Sequence, residues 1–329
     1  MRIIGDTFPN AEKSVNTTKL IFPTNRVADV EKCFLDVLKS LYPEAEVRSF
    51  FLMLCDAYLG WDRVAYLLHR SETINQSDLL RFHWALDDLK RHRPIQHIVG
   101  YTDFCDCRIR VNENVLIPRP ETEEMVYECV NALVRECVSE DSSINILDLC
   151  TGSGCIAIAL KKMLPESKVT AVDISPEALD VAKENAKDNA VEVKFECGDV
   201  LTCECVSANA SATHELTQSS NQAIKQYDLI VSNPPYITLS EKGAMCRNVL
   251  DYEPQLALFV PDNDPLLFYR KITAFAQQNL SPDGLLAMEI NERFGTETLQ
   301  QLAENGFSGV LHKDFRGKDR FVTASLSSR

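Results

Sequence analysis

Apolar positions in the first third of the chain recur every three or four residues. Val30, Phe34, Val37, Leu38 and Leu41 make one run, and Phe50, Leu54, Tyr58 and Leu59 a second. Leu79, Leu80, His83, Trp84, Leu86 and Leu89 make a third. This spacing belongs to helices that bury one face. Pro43, Gly60 and Ser77 punctuate the runs. A small bundle of four or five helices is therefore expected over residues 27–94, after a loose leader at 1–26. Trp61 and Trp84 fall at helical positions and are expected in the core. His83, His92 and His97 read as satisfied surface or interface residues rather than metal ligands.

The period changes between Ile95 and Ile117. The pieces HIVGYTDF, CRIRV and VLI are short and β-prone, and suggest a hairpin linking two domains over 95–118. IPRPETEEMV follows. Pro120 suits the first turn of a helix, and Glu121, Glu123 and Glu124 favour its positive end. That helix is expected to reach about Val138. Strands and helices then alternate. Strands are expected at Ile144–Leu149, Lys168–Asp173, Val191–Glu196, Tyr227–Asn233 and Leu285–Ile290. Helices are expected at Cys155–Leu164, Pro176–Asn189 and Thr296–Asn305. Gly309–Asp314 and Arg320–Leu326 read as a closing antiparallel pair. The alternation predicts an α/β fold over 119–329, a doubly wound parallel-rich sheet with helices on both faces. Ligands in such sheets bind beyond the carboxyl ends of the strands. Residues 201–226, rich in Ser, Ala, Thr, Asn and Gln, break the rhythm and read as an inserted surface loop.

Composition narrows the partners. The 329 residues are enough for two domains, and 45% are apolar. The net charge is −14, from 48 acidic and 34 basic residues. Such a surface disfavours direct binding of nucleic acid. The closest pairs among the twelve cysteines are Cys105-x-Cys107 and Cys203-x-Cys205, with no C-x-x-C. Reduced thiols without a metal site are the expectation. MRIIGDTFPNAEKSVN lacks the apolar region of a signal peptide. The most apolar short window, Phe50–Cys55, is too short to span a bilayer. A soluble, cytoplasmic protein without a membrane partner is expected, and a monomer.

Four stretches at strand ends carry candidate chemistry. In ILDLCTGSGCIAIAL, Gly152 and Gly154 allow a tight turn and close approach of a ligand to the backbone. A G-x-G alone is equally consistent with an ordinary strand–helix turn. In VTAVDIS, Asp173 ends the next strand, where a carboxylate can accept hydrogen bonds from ribose hydroxyls, or merely cap a helix, a task Ser175 does better. In CGDV, Asp199 can accept an adenine amino hydrogen and Val200 can pack on the ring, although a loop Asp is also a common turn former. In IVSNPPYI, Asn233 closes a strand and two prolines forbid its continuation. The Asn233 side-chain carbonyl and the Pro234 backbone carbonyl make a rigid acceptor pair for an –NH2 group. Tyr236 adds a flat face or a hydroxyl for a planar amide or base. Two acceptors that align such a nitrogen with an electrophile catalyse by orientation.

DLCTGSGCIAIAL, VDIS and SNPPYI together resemble class I S-adenosylmethionine-dependent methyltransferases acting on planar amino groups. RHRPIQHIVGYTDF, LIPRPETEEMV and YEPQLAL narrow the resemblance to the bacterial peptide chain release factor N5-glutamine methyltransferases, the HemK/PrmC family. The likeness runs from about Val27 to Leu326. It implies a Rossmann-like sheet with an antiparallel last strand, preceded by a small all-α substrate-docking domain. It implies methylation of the glutamine amide in the Gly-Gly-Gln motif of class 1 release factors, with S-adenosylhomocysteine as product. Carried over by position, Cys150, Thr151, Gly152, Ser153 and Gly154 would face the methionine part of S-adenosylmethionine, and Asp173 would hold the ribose. Asp199 and Val200 would border adenine. Asn233, Pro234, Pro235 and Tyr236 would grip the glutamine, with Asn233 also near the methyl donor. Arg119 would contact the substrate, or else pin Glu121. Two departures stand out: EIN places Asn291 where the family often has glycine, and DPLLFY replaces a D-G-L pattern at Asp264. The rival activity is adenine N6-methylation of DNA or RNA, which shares the (Asn/Asp)-Pro-Pro-Tyr grip but usually needs a basic face.

Overall fold

The computed structural model describes residues 22–136, 143–202 and 227–327. Most of the leader, and residues 203–226 with Cys203 and Cys205, lie outside the described residues. The chain divides into two compact units, Met1–Ile95 and Gln96–Arg329. Among the described residues no helix is long and apolar enough to cross a membrane.

The first unit holds α1 (Val27–Leu38), α2 (Glu44–Leu59), α3 (Arg63–His69) and α4 (Gln76–Lys90). Asp62 and Asn75 start α3 and α4 by accepting the amides of Ala65 and Asp78 at 2.7 and 2.9 Å. The rings of Phe34, Phe51 and Phe82 meet at centroid separations of 5.3, 5.4 and 6.2 Å and build the core. Trp84 does not join them and is 58% exposed. The buried stripe of α4 runs through Leu79, Phe82, Leu86 and Leu89. At 100° per residue that stripe leaves position 84 on the opposite side. His83, at the edge of the stripe, is buried and so is not one of the surface residues that the surface-or-interface expectation allowed.

The second unit opens differently from the expected hairpin over 95–118. Ile95–Val99 form a short helix, α5. The hairpin is confined to β1 (Tyr101–Phe104) and β2 (Cys107–Arg110). It is part of the α/β unit rather than a free linker. Asn185, fully buried in α8 (Pro176–Asp188), accepts the Arg110 amide at 2.7 Å and donates to the carbonyls of Arg110 and Ser153. One side chain thus ties the hairpin, α8 and the glycine-bearing turn together.

The remaining helices are α6 (Pro120–Glu136), α7 (Cys155–Met163), α9 (Arg247–Leu250), α10 (Leu267–Asn279) and α11 (Gly295–Glu304). The strands are β3 (Asn145–Leu149), β4 (Lys168–Asp173), β5 (Lys194–Cys197), β6 (Tyr227–Ser232), β7 (Ile237–Thr238), β8 (Phe259–Val260), β9 (Leu280–Glu289), β10 (Phe307–Lys313) and β11 (Asp319–Leu326). Seven of these strands form one sheet in the order β10-β11-β9-β6-β3-β4-β5. Only the last strand in the chain, β11, runs against its neighbours. Neighbouring side chains on the central strands point to opposite faces: Ile146, Leu229 and Val231 pack into one layer, Leu147 and Ile230 into the other. The chain leaves β3 toward β4 and returns on the other side through β6, so the sheet has a switch point between β3 and β6. Leu149 pairs with Val172 on one side and with Ser232 on the other. This register delivers Cys150, Asp173 and Asn233 to one edge.

Candidate active site

A cavity opens at that edge. Cys150, Thr151, Gly152, Ser153, Asp173, Asp199, Val200, Asn233 and Pro235 line it. Gly154, Pro234, Tyr236 and Arg119 do not. The two glycines of the turn therefore serve different ends. Gly152 has φ +53°, and a Cβ built there meets no heavy atom within 4 Å. Gly154 has φ +79°, and its Cβ would lie 3.0 Å from that of Ala182 and 3.2 Å from Ile158 Cδ1. Its missing side chain lets α7 approach α8. Cys150 also has a left-handed backbone, at φ +60°.

Asp173 bridges the turn and the next helix. Oδ2 accepts the Gly152 amide at 2.7 Å and Oδ1 the Ser175 amide at 3.0 Å. Burial raises its pKa above the usual carboxylate range. A carboxylate offers about four lone-pair sites, so each oxygen keeps capacity for a further donor. Ser175 caps α8 by accepting the Ala178 amide, which frees Asp173 from that task. Asp199 Oδ1 accepts the Leu201 amide at 2.8 Å, the local turn that a loop Asp commonly makes. Val200 is buried beside it. Hydroxyl donors suit the carboxylates, and a flat apolar ring suits Val200. Among the described residues no group of three or more His, Cys, Asp or Glu is placed to hold a metal.

Asn233 follows β6, and a connected set of hydrogen bonds lies around it. Its Nδ2 donates to Thr122 Oγ1 at 3.3 Å. Thr122 donates to Glu289 Oε2 at 2.6 Å, and the Tyr236 hydroxyl donates to Glu289 Oε1 at 2.8 Å. Thr122 and Glu289 are each 1% exposed. Burial pushes the Glu289 carboxyl up. Its two hydroxyl donors and the Arg320 charge oppose that shift. Tyr236 is pushed well above the ordinary phenol range, first by burial and then by Glu289. Its hydroxyl is therefore engaged internally.

Comparison with known proteins decides the family. A methyltransferase domain model matches residues 140–306, and a PrmC N-terminal domain model matches 34–100. The release factor glutamine methyltransferase of Flavobacterium psychrophilum is 42% identical over 294 residues, covering 89% of this chain and 96% of that protein. The enzyme of the same name from Bacteroides thetaiotaomicron is 39% identical, covering 88% and 96%. That from Lactococcus lactis subsp. lactis is 37% identical, covering 80% and 88%. The chain belongs to the release factor glutamine methyltransferase family.

In this family member two of the motif stretches are joined by an ion pair. Arg119 Nη2 lies 2.7 Å from Glu253 Oε1, and Glu253 Oε2 accepts the Ile117 amide at 3.1 Å. Arg119 thus pins Glu253, from YEPQLAL, and not Glu121. Asn291, the departure in EIN, is buried and functional in packing. Its Nδ2 donates to the Tyr236 carbonyl at 3.1 Å and to Glu241 Oε2 at 2.9 Å. Thr122, Glu289, Glu253 and Asn291 all sit in the quoted stretches, yet sequence reading assigned none of them a part in the site. A buried acid at a strand end was the available signal for Glu289.

Proposed function

We propose that this chain methylates the side-chain amide nitrogen of the glutamine in the Gly-Gly-Gln motif of class 1 peptide chain release factors. Family membership supports the reaction. The observation that carries the site is Asn233, held at the end of β6 beside the cavity that Asp173 also lines. S-adenosylmethionine, when bound, supplies an electrophilic methyl group and leaves as S-adenosylhomocysteine. Asp173 is assigned to its ribose hydroxyls, Asp199 and Val200 to its adenine, and Cys150 to Ser153 to its methionine part. Asn233 Oδ1 and the Pro234 carbonyl each accept one hydrogen of the glutamine –NH2, and Pro235 and the Tyr236 ring bound the amide. The prolines hold these acceptors before substrate arrives, so little ordering remains to be done on binding. The amide keeps both protons while its nitrogen takes the methyl group and the sulfur–methyl bond breaks, and it then sheds one proton to water. The helical unit is assigned to docking the release factor, and the reaction to the cytoplasm.

The test is methyl transfer from labelled S-adenosylmethionine to three acceptors. These are a purified release factor, the same factor with its Gly-Gly-Gln glutamine changed to alanine, and duplex DNA. Label on the intact factor alone is expected. Label on DNA alone would replace this reading with adenine methylation.

A further inference from the structure

An asparagine amide presents an oxygen on one side and an –NH2 on the other. The reading above requires the oxygen toward the substrate, because the glutamine –NH2 brings only donors. Something must therefore hold the amide against a flip. The chemistry around Thr122 does so. A threonine hydroxyl has one proton and two lone pairs. Its proton goes to Glu289 Oε2 at 2.6 Å, a bond to a carboxylate and the shorter of its two contacts. Toward Asn233, 3.3 Å away, only lone pairs remain. An amide oxygen turned to that side would meet another acceptor, whereas the –NH2 meets a partner.

Glu289 is held in place to accept that hydrogen bond. Its second oxygen already accepts the Tyr236 hydroxyl at 2.8 Å, and both residues at its ends are fixed by the fold. Thr122 is held in the first turn of α6, where its amide bonds to the Arg119 carbonyl at 3.1 Å. Glu289 ends β9, in register with Phe321 of β11. The relay thus joins a helix start to a strand end through buried groups only. Resting on the reading of Asn233 as the amide acceptor, we propose that Thr122 and Glu289 are positioning residues that fix the Asn233 side chain with its oxygen facing the substrate.

The test combines kinetics with a readout that needs no turnover. The side-chain 15N–1H signals of Asn233 are assigned in the full-length chain by their loss in Asn233→Asp. Thr122→Val, an isostere without the hydroxyl, is expected to shift them, and Thr122→Ser to leave them in place. Thr122→Val is expected to lower kcat/KM for the release factor about tenfold, the size of roughly one hydrogen bond. Thr122→Ser is expected to recover most of that loss. The KM for S-adenosylmethionine should stay near wild type in both, while the melting temperature should fall in Thr122→Val, which leaves a buried Glu289 oxygen without its donor, and hold in Thr122→Ser. In an Asn233→Asp background, whose two carboxylate oxygens leave nothing to orient, Thr122→Val should cause no further loss.

Asn233 signals that ignore Thr122→Val would overturn the proposal whatever the activity. So would an equal loss of kcat/KM in both backgrounds. Signals that shift as expected in a protein that methylates no release factor would support the orientation and sink the substrate reading instead.

Discussion

The turn between β3 and α7 carries two glycines with separable tasks, and alanine at each tells them apart. Gly154→Ala places an L residue at φ +79°, which costs about 1–2 kcal/mol. Its new methyl would sit 3.0 Å from Ala182 Cβ and 3.2 Å from Ile158 Cδ1. Ala182 is on α8, which the hairpin and Asn185 hold in place, so it has little room to retreat. Overpacking of this kind costs about 1–3 kcal/mol. A stiffer unfolded chain returns about 0.4–1 kcal/mol. The net loss is about 1–4.6 kcal/mol, centred near 3, a large share of the roughly 5–15 kcal/mol that stabilises a domain. Gly152→Ala carries a similar backbone cost at φ +53° but no clash. Its methyl enters the cavity wall. The expected pattern is crossed: Gly154→Ala lowers the urea midpoint sharply and leaves the KM for S-adenosylmethionine near wild type, while Gly152→Ala is destabilised by only about 1 kcal/mol and raises that KM. A Gly154→Ala variant that keeps its urea midpoint but loses cofactor affinity would refute the packing role.

Three further outcomes follow from the same geometry. Asn233→Ala should abolish methylation and leave calorimetric binding of S-adenosylmethionine mostly intact, whereas Asp173→Ala should weaken that binding directly; the reverse pattern would mean the two ends of the cavity are exchanged. Asp148 is fully buried and its pKa is pushed up to about 7 by that burial. The folded state then holds a proton that the unfolded chain has lost, so stability should fall as pH rises from about 4 to about 7, by at most ~1.4 kcal/mol per unit from this group, and urea titrations of Asp148→Asn should lack that component. Arg119→Ala strands Glu253 with one amide donor; the loss should be about 2 kcal/mol by urea titration, less than the roughly 3–5 kcal/mol of a fully buried pair, because Arg119 remains one-third exposed to water.

Periodicity exposed most of the architecture because the central strands and amphipathic helices bury their apolar residues at regular intervals. β4 starts and ends where the pattern places it, and α6 begins at Pro120 as a first-turn proline should. The pattern misled where two periods overlap. Ile95–Val99 contains β-branched residues but closes a helical turn before Gly100, and Leu280–Glu289 begins well before its apolar run. The helix α10, LFYRKITAFAQQN, went unassigned although Tyr269, Ile272, Phe275 and Ala276 recur at helical spacing and pack against the sheet; its aromatic and β-branched residues lower the helix propensity that would reinforce that pattern. Trp84 shows the limit of a residue-type argument: a tryptophan at helical spacing still obeys the stripe set by its neighbours. In the site, strand-end residues were legible because register and connectivity bring them to one edge. Partners from distant stretches were not. Thr122 and Glu289 lie 167 positions apart, and Arg119 and Glu253 lie 134 apart. No local spacing encodes such meetings.

The groups behind the proposed Asn233 grip also bear on the kind of catalysis available there. A general base needs a free lone pair within reach of the proton it takes. Glu289 is the carboxylate of this network, but Asn233 meets it only through Thr122, and each of its oxygens already accepts a hydroxyl. The Tyr236 hydroxyl donates a hydrogen bond to that same carboxylate, and both burial and the carboxylate's charge oppose loss of its proton to form phenolate. Thr122 is committed in both directions. An active site that deprotonated the amide first would place a carboxylate against it. Here the acid stands behind Thr122, and the cost of burying it is offset by making it the anchor of two hydroxyls. The arrangement favours rigidity over proton transfer. That is what a reaction needs when the nucleophile is a neutral amide nitrogen whose reactivity depends chiefly on where its lone pair points.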